Sequence, residues 1–359
     1  MRFIGNKENL VENIYNIIKT REIKGKRFFD VFSGTTSVGR YFKKRGYQTI
    51  SSDLLYFSYC LQRAYLVNNQ QPIFSSLLKK YDFPANTLFA EPLSLVIEFL
   101  NSLPGVEGFV YKNYTPEGSA TLPRPRMFFI GENGKKIDAI RQQIENWKIE
   151  KLISEDEYFI LLACLIETVP FYANIAGVYA AFQKTWDPRA LKSLRLREIE
   201  IFESQNEHFA FSEDSVGLVG QFATDILYLD PPYNHRQYAP NYHLLETVAR
   251  YDEPEIRGLV GIRSYENQKS KFCNARTAIE ELDRVAKEGK FKHLILSYNS
   301  EGVMPQEEIL HTLRNYGPTE LVEFDYLRFK SNNNGEAKHK KYIKEQLYIL
   351  TSSNNLANS

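Results

Sequence analysis

The chain has 359 residues, which at about 150 residues per domain predicts two domains. It is 43% hydrophobic and 25% charged, so disorder and collagen-like repeats are excluded and a sizeable core is available. With 45 basic and 44 acidic side chains the net charge is +1, so any binding of a polyanion must rest on local patches. The start has no apolar run of the kind a secretory signal needs. The three cysteines form no C-x-x-C pair, and the six histidines are not spaced as a metal cluster. A cytoplasmic protein with no metal and no membrane segment is expected.

Residues 8–19 place Leu10, Val11, Ile14, Tyr15, Ile17 and Ile18 at helical spacing. Arg27-Phe28-Phe29-Asp30-Val31-Phe32 reads as a buried strand ending at Ser33-Gly34. A helix is expected over 37–45, stopped by Gly46, and a second strand over 47–53 ends on Asp53. This βαβ start predicts a parallel sheet. The strand–helix rhythm fails over roughly 70–205, which reads as an insert holding a buried helix over 156–168. It returns with a strand over 225–230, helices over 242–251 and 277–287, and a strand over 293–298. Two tail strands, 320–329 and 341–351, are of the antiparallel kind that closes an otherwise parallel sheet.

Gly34-Thr35-Thr36-Ser37-Val38-Gly39 matches the first and third glycines of a dinucleotide loop, with Thr36 in the middle place. Asp53 follows at a distance that suits a carboxylate on ribose hydroxyls. The missing middle glycine argues against a pyrophosphate, and no Gly-Lys-Ser/Thr follows, so a nucleoside without a diphosphate is expected. Asp230-Pro231-Pro232-Tyr233 follows the 225–230 strand. Its two prolines carry no N–H, leaving a stiff loop of hydrogen-bond acceptors beside an aromatic ring. Such a corner suits a planar ring bearing an NH2 group.

With these residues, and with Arg2 to Lys7 before them and Ser297-Tyr298-Asn299 after, the sequence resembles the Dam-related DNA adenine-N6 methyltransferases (D12 class, alpha-type motif order). The resemblance implies an α/β fold: a class I S-adenosylmethionine-dependent, Rossmann-like sheet. The catalytic domain would be 1–70 and 207–359, and an inserted target-recognition domain 71–206. It implies that Phe32, Gly34 and Thr35 border S-adenosylmethionine, Asp53 its ribose and Asp214 its adenine. Asn6 or Lys7 would lie near its methionine end, with Asp230 also a neighbour. Asp230 and the Pro231 carbonyl would accept the two N6 hydrogens, Pro232 would stiffen the catalytic loop, and Tyr233 would stack on the base. Thr36 departs from the glycine of many members.

The target adenine would be rotated out of the duplex. Candidate DNA contacts are Arg124 and Arg126 as readers of guanine edges, Arg189 and Arg195 in the basic run 184–198, Lys340 and Lys341 in the run 328–345, and Arg236 and Tyr238 after the catalytic loop. Double-stranded DNA and a cognate restriction endonuclease are the expected partners. Three alternatives stay open: methylation of RNA adenine, methylation of protein glutamine, against which Asp230 counts, and a DNA-binding module that has lost its cofactor.

Overall fold

A computed structural model describes residues 7–81, 91–327 and 342–353. Its contacts divide the chain into two units. The sheet unit holds Gly5–Gln62, Ser204–Tyr238 and Asn267–Ser359, and the helical unit holds Arg63–Glu203 and Ala239–Glu266. Residues 63–70 and 239–266, expected with the sheet, thus group with the helices.

The sheet unit contains seven strands: β1 (Arg27–Asp30), β2 (Gln48–Ser52), β3 (Phe209–Phe211), β4 (Thr224–Leu229), β7 (Phe291–Asn299), β8 (Thr319–Leu327) and β9 (Tyr342–Thr351). Their spatial order is β3-β2-β1-β4-β7-β9-β8. Neighbours from β3 to β7 pair in parallel, and β9 pairs antiparallel with both β7 and β8. The sequence implied this mostly parallel α/β architecture. It did not imply β3, which is only three residues long, or α11 (Gln306–Arg314).

Alternate side chains of the strands fill two cores, as the two-residue period of a strand requires. Phe28, Ile226, Tyr228, Ile295 and Leu347 face α1 (Val11–Thr20) and α2 (Ser37–Lys43). Phe28 stacks on Phe42 of α2 with ring centroids 3.9 Å apart. Phe29, Leu227, Leu294 and Leu296 face α10 (Ala275–Glu288) and α11. A sheet covered on both faces needs near-continuous apolar strands, which explains runs such as Leu294-Ile295-Leu296. The short α3 (Tyr56–Gln62) follows β2.

The helical unit contains α4 (Ser75–Lys80), α5 (Pro92–Ser102), α6 (Phe109–Tyr114), α7 (Gly131–Ile149), α8 (Glu155–Thr168) and most of α9 (Tyr238–Arg250), with a hairpin of β5 (Ile256–Arg257) and β6 (Ile262–Arg263). Helix α8 is buried along nearly its whole length and starts at a capping box between Ser154 and Glu157. Buried polar groups explain why 239–266 joins this unit. Arg141 of α7 is 2% exposed and donates to the carbonyls of Val248 and Ala249 at the end of α9, at 3.1 and 3.2 Å. Asp138 accepts from the Val110 and Tyr111 amides and from the Tyr251 hydroxyl. Burial pushes its carboxyl up to about 6, against the pull of those donors.

No helix among the described residues is long and apolar enough to cross a membrane. Arg141→Leu would strand two buried acceptors, each worth about 1–3 kcal/mol when left unpaired. Urea unfolding should show that loss as a lower midpoint. An unchanged midpoint would show that α7 does not hold α9 in this way.

Candidate active site

The site forms where the sheet order reverses, between β1 and β4, because connections leave these two strands in opposite directions and open a crevice at their carboxyl ends. Asp30 of β1 lies opposite Tyr228 of β4, and the Val31 amide donates to the Tyr228 carbonyl at 3.0 Å. The loop after β1 and the loop after β4 are therefore neighbours.

The first loop turns sharply. Gly34 has φ +49°, and Thr36 has φ +64°, a left-handed conformation that β-branched residues rarely adopt. Glycine, which has no Cβ, would adopt this conformation without that strain. Thr36 is fully buried, and its hydroxyl donates to the Thr35 carbonyl at 2.5 Å. The Thr36 amide donates to the Ser33 carbonyl at 2.7 Å. Asp53, at the end of β2, accepts from the Gly34 amide at 2.8 Å and from the Leu55 amide at 2.9 Å. The carboxylate expected on a ribose thus also fastens the glycine loop to the sheet. Phe32 meets Phe272 edge to face, with centroids 5.2 Å apart, and Thr35 is buried. Asp214 is exposed and caps the turn Ser215–Gly217 through the Val216 amide.

The second loop is anchored at both ends. Lys7 lies just before α1, and its carbonyl accepts from the Leu10 and Val11 amides. Its ammonium lies 3.3 Å from Oδ1 of Asp230 and pairs also with Oε1 of Glu345. Burial alone would lower the Lys7 pKa, but the Asp230 and Glu345 charges outweigh it and raise it. Burial pushes the Asp230 carboxyl up to about 7, with Lys7 pulling down and Glu345 pushing up. Pro231 and Pro232 are buried, Tyr233 is half-buried against the core, and its carbonyl accepts from the Val303 amide at 3.0 Å.

Two further groups complete the edge. Asp30 is 1% exposed, and among the described residues neither its carboxyl oxygens nor the Ser33 hydroxyl find a hydrogen-bond partner. Burial pushes the Asp30 carboxyl up to about 8, reinforced by the Asp230 and Asp53 charges. The Gly39 and Phe32 amides oppose this from outside hydrogen-bonding geometry. Neither Asp30 nor Glu345 was singled out from the sequence. For Asp30 the signal was a carboxylate inside an apolar strand, Phe28-Phe29-Asp30-Val31, whereas Glu345 stands between Lys344 and Gln346 and gave none.

A profile of the D12 class N6 adenine-specific DNA methyltransferases matches residues 3–311. The chain belongs to this family. It is 40% identical over its full length to the type II methyltransferase M.FokI of Planomicrobium okeanokoites, covering 54% of that protein. It is 35% identical to the modification methylase StsI of Streptococcus sanguinis, covering 52% of it. The chain therefore spans about half the length of these two relatives. It is also 38% identical to the type II methyltransferase M.NlaIII of Neisseria lactamica, covering 98% of this chain and 99% of that one.

The structure treats the other expected residues unevenly. Asn6 or Lys7 was expected near the methionine end of a cofactor, and the Lys7 ammonium lies against two carboxylates. Arg126 was expected to read guanine. It is 7% exposed and donates to the carbonyls of Asn113, Gly258 and Leu259 at 3.1 Å, so its guanidinium is a clamp inside the helical unit. Arg189 is paired with Asp187 of its own loop, and Arg195 with Glu98 at 2.8 Å. Arg124 is exposed. Arg236 is exposed beside the Asp230–Tyr233 loop, and Tyr238 is half-buried at the start of α9. Asn6, Lys340 and Lys341 lie outside the described residues. Among the described residues no group of three or more His, Cys, Asp or Glu could hold a metal ion.

The Asp30 shift fixes the sign of a stability effect. In the unfolded chain this carboxyl ionises near ~4, and in the folded chain near 8. The folded state therefore holds an extra proton between these limits, and its stability falls as pH rises through them. Asp30→Asn removes that group, so its melting temperature should decline less steeply from pH 5 to 9 than that of the parent. Parallel declines would contradict the buried, unpartnered state of Asp30.

Proposed function

We propose that the chain transfers a methyl group from S-adenosylmethionine to N6 of a flipped-out adenine in double-stranded DNA. In that role it would serve as the modification enzyme of a type II restriction–modification system. The observation that carries the reading is the Asp230-Pro231-Pro232-Tyr233 corner, anchored through Lys7 at the sheet's switch point beside the glycine loop. The family and the names of its relatives support the same activity.

Adenine N6 is a poor nucleophile because its lone pair is delocalised into the ring. Oδ2 of Asp230 and the Pro231 carbonyl accept hydrogen bonds from its two N–H groups and favour a tetrahedral, electron-rich nitrogen in the transition state. The proton that N6 sheds once it carries the methyl group passes to Oδ2 of Asp230. Neither proline can donate a competing N–H. Lys7 favours the ionised, accepting form of Asp230. Tyr233 offers a face on which the base stacks, worth about 1–3 kcal/mol, which offsets part of the unstacking.

Bound S-adenosylmethionine supplies the activated methyl group. The residues present fit it. The unpartnered oxygens of Asp30 and Ser33 at the carboxyl end of β1 match a ligand that brings donors, and Asp53 lies one strand away for hydroxyls. Phe32, Gly34 and Thr35 would border it, and Asp214 would reach its adenine. Arg236, exposed directly after the catalytic loop, is our candidate for a phosphate near the target base. Tyr238, Arg124, Arg189, Arg195, Lys340 and Lys341 are secondary candidates for DNA contact. Arg189 and Arg195 would first have to give up their carboxylates. A cognate restriction endonuclease would be the functional partner, and the cytoplasm the compartment.

Asp230→Ala should lower single-turnover methyl transfer to duplex DNA by about 10²-fold or more, with duplex affinity kept. Because burial pushes Asp230 up to about 7 and only its ionised form is the acceptor, the parent rate should climb through an acid limb near that pH. Full activity of Asp230→Ala would refute the acceptor role.

A further inference from the structure

Glu345 has no place in the chemistry above, yet it is 3% exposed and sits on the apolar side of β9, sharing that face with Leu347 and Ile349. A buried carboxylate beside a second one is unfavourable in itself, since it makes Asp230 harder to ionise. Its neighbours show what it does. Oε1 of Glu345 takes the Lys7 ammonium and also accepts from the Ser297 hydroxyl at 2.9 Å. Ser297 belongs to β7 and is fully buried, so this end of the pair is fixed to the sheet. The closest approach of Lys7 to Asp230 is at Oδ1, 3.3 Å away.

A lysine side chain has four rotatable bonds and three donors, so one carboxylate at 3.3 Å does not by itself fix where its ammonium sits. We propose that Glu345 is a positioning residue for methyl transfer: with Ser297 it locks the Lys7 ammonium so that Lys7 grips Oδ1 of Asp230 and leaves Oδ2 as the acceptor for the amino group. The direction of β9 makes this possible. Because β9 runs antiparallel to β7, its beginning, where Glu345 faces Asn299, lies at the carboxyl end of β7, the edge that carries the site. The inference rests on the methyltransferase reading and assigns a residue that this reading leaves idle.

The test uses the full chain, tritiated S-adenosylmethionine and duplex DNA carrying the target adenine, with Glu345→Ala and Glu345→Gln. Glutamine keeps an acceptor for Lys7 and Ser297 but removes the charge that opposes ionisation of Asp230. The expected result is a single-turnover rate about 10²-fold lower in Glu345→Ala, the scale of a misplaced reacting group, with cofactor and duplex affinities within about twofold. Glu345→Gln should rescue the plateau rate to within about threefold, and its acid limb should move to lower pH.

If Glu345→Ala does not fold, the Glu345→Gln profile decides alone. An unshifted limb, or a parent-like rate in folded Glu345→Ala, would overturn the positioning role while leaving the activity standing. A parent protein that labels no duplex would overturn the activity, and the inference with it.

Discussion

A single buried ammonium holds the candidate site together. Lys7, from the start of the described chain, lies between Asp230, after the fourth strand, and Glu345, in the last one. Removing a carboxylate from water favours its protonated form, and a protonated Asp230 would no longer be an acceptor with both oxygens. The lysine opposes this at close range, where low dielectric makes its charge effective. A buried ion pair of this kind is weak evidence for stability, because desolvation offsets most of the attraction. It is better understood as the means by which a carboxylate is kept charged and fixed in a dry corner.

Topology supplies the three groups from distant parts of the sequence. The reversal of strand order between β1 and β4 opens the crevice and sets the glycine loop beside the acceptor loop. Asp53 ties that glycine loop to the neighbouring strand through the Gly34 amide, so a residue read as a ligand contact also has a structural task. Reversal of β9 brings Glu345 to the same edge. Three carboxylates, Asp30, Asp230 and Glu345, thus gather at one end of the sheet against one lysine. Burial above all, and neighbouring carboxylate charges after it, hold the carboxyls of Asp30 and Asp230 well above the usual range.

The sheet was legible because its strands are apolar runs bounded by glycine, proline or a carboxylate. The glycine loop and the proline corner were legible because each needs particular residues close together in the chain. Asp30 and Glu345 were missed for the opposite reason. Glu345 gains its meaning only from Lys7, 338 positions away, and Asp30 only from the burial and the Asp230 and Asp53 charges that the fold brings to it. Arg126 and Arg141 show the same limit in the helical unit. Sequence shows an arginine in a loop or helix, and only the fold shows that two of its donors are taken up by carbonyls more than a hundred residues away. The segment 239–266 misled for a related cause. Its helical periodicity continued the rhythm of the sheet domain, while its buried polar bonds tie it to α7 and Tyr179.

The central claim is that Lys7 serves the catalytic carboxylate, and Lys7→Met tests it most directly. Single-turnover methyl transfer and S-adenosylmethionine affinity should be measured across pH 6 to 9 in the parent and the variant. Loss of the cation should slow transfer and move its acid limb to higher pH, while cofactor affinity stays within a few fold. A variant that transfers methyl at the parent rate and pH, but binds cofactor far more weakly, would place Lys7 on the cofactor and contradict the account.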